Sequence, residues 1–237
     1  MLNNQPLAVC CQAKHLGHVL SNTSHGIIDT SCIIDSFNKC VNILMADLGS
    51  ISSHMLLKLF SQYCTSFYGS VLCNINSKHM NALYTSWRKG VRRVLRLPYK
   101  THCSLVALLG GKLPIHMSIS LRIAKFYCSI MYSDNASLKF LGKLCKYQSI
   151  SNMGKNVIYL MQRLNIEFHN VLQCHSKESA HNLCYLNTSD RWHKQQDAMD
   201  INTAKICAEL IDARDGLLEC VLAKSEIKEL LTHFCVN

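Results

Sequence analysis

From Ser31 onward the apolar residues of this chain recur at steps of three and four. Ile34, Phe37, Val41, Leu44, Met45 and Leu48 share one face of a helix that Gly49 stops. A second helix is expected from Ser53 to about Leu72, with Met55, Leu56, Leu59, Phe60, Tyr63 and Phe67 inward. The third, about Ser77–Leu97, is the most regular. Leu83, Tyr84, Trp87, Val91, Val94 and Leu95 form its apolar stripe, and Pro98 ends it. Cys103–Leu109 reads as a short helix before Gly110–Gly111, and Pro114 suits the first turn of the next one. That next helix should bury Ile115, Ile119, Ile123, Phe126 and Ile130 and keep Arg122 and Lys125 outside the stripe.

The two ends read differently. Leu7–Cys11 and His15–Leu20 look like short strands around a tight connection, and Asn22–Asp29 is a polar loop. Beyond Asp134 the periodicity weakens. Leu138–Tyr147 and Val157–Leu164 look helical, Gln173–Asp190 reads as a polar connection, and Ile201–Ala213 and Ser225–Phe234 as closing helices. The expected fold is mainly α with a short N-terminal β-hairpin. It divides into the hairpin (1–29), a helical basic region (30–133) and a helical C-terminal extension (134–237).

Composition agrees with a helical chain that builds a core: 49 % of the 237 residues are apolar and only three are proline. The longest apolar runs, such as Leu105–Leu109, are far too short to span a bilayer. The first fifteen residues lack the basic and apolar regions of a secretory signal. An intracellular protein, cytoplasmic or nuclear, without a membrane partner is therefore expected. The fourteen cysteines are irregularly spaced through expected helices, which favours free thiols over a disulfide framework.

Charge changes the picture most. Between Leu48 and Ser133 there are eleven lysines and arginines and no aspartate or glutamate, whereas residues 134–237 hold twelve of each sign. The formal net charge of +10 thus comes from one segment. Its densest part lies on the third helix. Arg88, Arg92 and Arg96 form a row at i, i+4, with Lys89 and Arg93 beside it, away from the apolar stripe. Lys100 follows, and Trp87 and Tyr99 bracket the cluster with rings able to stack on bases. Nucleic-acid binding by these eight residues is the expected chemistry, with the six cations on phosphates and the two rings on bases, since lysine and arginine gain by displacing counterions from a polyanion. A solvated face, or one paired with distant carboxylates, is the plainer alternative.

Other chemistries find little support. Cys10, Cys11, His15 and His18, and farther on Cys174, His175, His181 and Cys184, lack the paired spacings of a structural zinc site. No Asp-Asp pair occurs, and the first 133 residues contain only Asp29, Asp35 and Asp47, too few and too scattered for two-metal nucleotidyl transfer. There is no nucleophile elbow, P-loop or dinucleotide-binding glycine pattern.

The basic segment resembles one family. Tyr68–Leu72 (YGS-x-L), the tryptophan-led basic helix Trp87–Leu95, Leu97–His102 (LP-x-x-TH) and the LPI at Leu113–Ile115 follow one another as they do just after the polymerase palm of LINE-type, jockey-like non-LTR retrotransposon reverse transcriptases. Pro6–Ser21, with its Leu16–Gly17 step, is similar to the hairpin that closes that palm, and Arg214–Cys235 to the family's C-terminal tail. The resemblance implies the end of the palm, a thumb that grips template–primer, and a C-terminal extension. The partners it implies are RNA, an RNA–DNA hybrid or DNA, held by the phosphate backbone, and an upstream palm in an intact parent protein. The family's metal-binding aspartates would lie ahead of Met1. The chain alone is thus expected to have no RNA-directed DNA polymerase activity and no cofactor of its own, as part of a truncated element. A helical module that docks an acidic protein, or a remnant without function, are the alternative expectations.

Overall fold

A computed structural model describes residues 12–15, 18–21, 30–67, 69–101, 103–110, 113–147, 151–164, 170, 173–197, 209 and 211–212. These are mainly α-helical, as expected. The helices are α1 (Thr30–Leu48), α2 (Ser53–Leu59), α3 (Lys78–Val94), α4 (Cys103–Leu109), α5 (Ile115–Met131), α6 (Ala136–Tyr147), α7 (Asn152–Leu164) and α8 (Lys177–Asp197).

Strand β1 (Gln12–His15) pairs antiparallel with β2 (His18–Ser21), from Gln12↔Ser21 to His15↔His18. The hairpin is present, but β1 occupies residues expected in the connection. Closing the ladder on the His15–His18 pair leaves only Leu16 and Gly17 between the strands. Those two residues, and the expected strand Leu7–Cys11, lie outside the described residues, as do Ser225–Phe234 and most of Ile201–Ala213.

Of the expected inward positions of α1, Phe37, Val41, Leu44 and Leu48 are buried, and Ile34 and Met45 are half-buried against the core. The second expected helix is corrected. Its α-helical part stops at Leu59 and widens into a π-turn, Phe60–Cys64, and a separate 3-10 turn follows at Ser70–Leu72. Phe67 (φ 41°) and Gly69 (φ 77°) take left-handed backbone, which no continuing helix allows.

The central helix is α5. Of its expected stripe, Ile115, Ile119 and Ile123 are buried, but Phe126 is exposed and Ile130 only half-buried. Met117, Leu121, Ala124, Tyr127, Cys128 and Met131 are buried instead. A helix with neighbours on several sides buries most of its circumference, so a one-stripe reading misplaces its face. Gly142 lets α6 approach: a Cβ there would stand 2.5 Å from Met131 Sδ. Tyr127 also donates its hydroxyl to Gly142 O at 3.2 Å. On another side α8 packs with Cys128 and Cys184 sulfurs 3.9 Å apart.

The expected polar connection Gln173–Asp190 is the largest correction, because α8 occupies most of it. Ala180, Cys184, Thr188 and Trp192 are buried at steps of four. Three of these are small or weakly polar, so the stripe is geometrically regular but barely apolar. One cluster of buried side chains runs from Phe37 to Trp192, and so continues across position 133/134.

Candidate nucleic-acid interface

The helix α3 begins where Ser77 accepts a hydrogen bond from Met80 N–H on its Oγ at 3.2 Å, an N-cap that the sequence favours. Met80, Leu83, Trp87, Gly90, Val91 and Val94 turn inward. Gly90 allows the close approach: a Cβ there would lie 2.9 Å from Phe37 and 3.1 Å from Phe60, whose rings meet edge-on. The helix ends on a Schellman turn. Leu97 N–H reaches Arg92 O at 2.8 Å and Arg96 N–H reaches Arg93 O at 3.1 Å, with Arg96 at φ 51°.

This geometry separates the eight expected contact residues. Trp87 is only 6 % exposed and belongs to the core, so a stacking role for it is corrected to a packing role. The arginines are largely engaged inside the protein. Arg96 donates to Gly49 O and Ile51 O, joining the end of α3 to the end of α1. Arg93 is exposed yet donates to Asn42 Oδ1 of α1. Arg92 gives Nε and Nη2 to Thr101 O at 3.1 and 2.7 Å. Arg88 is half-buried and donates to Thr85 Oγ1 at 3.1 Å. Lys89, Tyr99 and Lys100 are exposed, Tyr99 to 77 %.

The four arginines just named bond to neutral oxygens. A carbonyl orients a guanidinium without cancelling its charge, so the field of this face persists. Arg92 has a further effect. The turn Pro98–Thr101 is closed by Thr101 N–H and Oγ1 on Pro98 O, at 3.0 and 2.7 Å. By holding Thr101 O, Arg92 fixes that turn against α3 and so positions Tyr99 and Lys100. The outward set is therefore Lys89, Arg93, Tyr99 and Lys100, with Arg88 at its edge and Arg92 and Arg96 as supports.

One structural role went unread in the sequence. Arg122 of α5 donates to Thr65 O at 2.9 Å and to Ser66 O, where the π-turn ends. Burial lowers its pKa. Like Arg96, it serves carbonyls left unpaired at a helix end, a position where a cation also meets the negative end of the helix dipole. No sequence spacing signals such a tertiary cap.

The nine described cysteines are free thiols. Burial pushes Cys64 up to about 12 and Cys73 up to about 11, so both are neutral and unreactive near pH 7. Among the described residues, no group of three or more His, Cys, Asp or Glu could hold a metal ion, and no helix is long and apolar enough to cross a membrane. No family model, curated protein or solved structure matches the chain.

Proposed function

We propose that this chain binds nucleic acid through its phosphate backbone, using the outward face of α3 and the turn that follows. The observation that carries the reading is the acid-free segment from Leu48 to Ser133, whose exposed cations include Lys89, Arg93 and Lys100 around the end of one helix. The exposed ring of Tyr99 adds a stacking surface beside them. The resemblance to the thumb of LINE-type non-LTR reverse transcriptases supports the same reading. On it, the chain represents thumb and C-terminal extension, and its contact is with template–primer. No polymerase chemistry is assigned to its residues.

The test is fluorescence anisotropy of the full chain with labelled RNA, an RNA–DNA hybrid and DNA of equal length. Binding to at least one, with affinities that differ little between unrelated sequences, is the expected result. Equal failure on all three at low salt would overturn the reading.

A further inference from the structure

Beside the Arg88 edge of the outward face of α3, a cavity of about 190 Å³ opens between α3, α5, α7 and α8. Arg163 from α7 and Arg191 from α8 both line it. Arg163 is exposed and Arg191 half-buried, so two positive charges from separate helices border the cavity, a field that favours an anion. The described lining contains no carboxylate to serve as that anion. It offers instead neutral donors in Asn76, Asn81 and Gln195, and the hydroxyl of Ser120. Tyr84 and Tyr159 supply ring surface on the same walls.

We propose that this cavity binds a mononucleotide, with its phosphate on the two guanidiniums and its flat base against the tyrosines. A carboxylate would be satisfied by one arginine fork, whereas a tetrahedral dianion uses two forks and several neutral donors. The volume lies below the usual range for ligand pockets, roughly 300–1,000 Å³, so the cavity encloses only part of a nucleotide and the rest extends through its open side. His116 also lines the space. The residue is exposed, and partial burial of its imidazole, then the charges of Arg163, Arg88 and Arg191, lower its pKa. A dianion among those cations would reverse their effect and raise it. The proposal does not rest on the nucleic-acid reading: Lys89 and Lys100 do not line the cavity, and either proposal can fail alone.

Isothermal titration of the full chain with AMP, adenosine and inorganic phosphate tests it, alongside the His116 titration followed by NMR. Saturable AMP binding is expected, with adenosine and inorganic phosphate each at least about tenfold weaker. Arg163→Gln and Arg191→Gln should each weaken AMP by about tenfold or more, while the double variant Lys139→Ala/Lys143→Ala, at exposed positions of α6 that do not line the cavity, leaves it unchanged. AMP should raise the His116 pKa, a readout on the unmodified chain that does not depend on either arginine variant folding. Absence of AMP binding at millimolar concentration overturns the proposal. So does adenosine binding as tightly as AMP, a His116 pKa unmoved by saturating AMP, or loss of AMP binding in the lysine variant. Inorganic phosphate binding as tightly as AMP overturns the ring half.

Discussion

Arg96 occupies the left-handed position just past α3, where helices favour glycine, and it does so while capping the end of α1. Two substitutions separate the two roles. Arg96→Gly loses the side-chain bonds but suits the backbone, whereas Arg96→Ala loses the bonds and keeps the strain. We expect Ala to be less stable than Gly by about 1 kcal/mol in urea unfolding, and equal stabilities would contradict the backbone assignment. Asn156 is a second such residue. It is fully buried on α7, accepts from Ile75 N–H at 3.0 Å and donates to Cys73 O at 2.7 Å. Asn156→Ala leaves both backbone groups unpaired and should cost about 2–3 kcal/mol by the same measurement. Neither role is visible in a linear pattern, because each partner lies more than forty residues away. Trp87 makes the same point in reverse: one tryptophan can end an apolar stripe or lead a basic face, and only packing decides which.

At the scale of elements, legibility followed how many sides of a helix are covered. α1 and α3 bury one stripe, and their steps of three and four located them closely. α5 is enclosed, so its periodicity was diluted. α8 buries Ala180, Cys184 and Thr188, whose small side chains carry little hydrophobic signal. The stop after α2 comes from backbone conformation at Phe67 and Gly69, to which hydrophobic periodicity is blind. Two further outcomes follow. Gly90→Ala should destabilise by about 1–2 kcal/mol although alanine favours helix, because the added methyl meets Phe37 and Phe60. A gain in thermal stability would show that the α1–α3 contact is looser than described. Trp192→Ala should cost about 3 kcal/mol or more if α8 is a core helix, whereas a polar connection would lose almost nothing.

For the molecule as a whole, the one-sided charge was the most legible feature, and its use the least. The acid-free segment reads from sequence as a single polyanion face. In the fold its cations divide between outward positions and internal caps, with Arg92, Arg96 and Arg122 donating to backbone carbonyls. The helices of 30–133 and the described helices beyond them share one core, so the basic face is carried by a continuous helical body. The central claim is that Lys89 and Lys100 meet phosphates, and the salt dependence of binding tests it most directly. With the full chain, log affinity for RNA–DNA hybrid plotted against log salt should fall linearly. Lys89→Ala/Lys100→Ala should flatten that slope by about two while leaving the melting temperature unchanged. An unchanged slope in the folded variant would contradict the account.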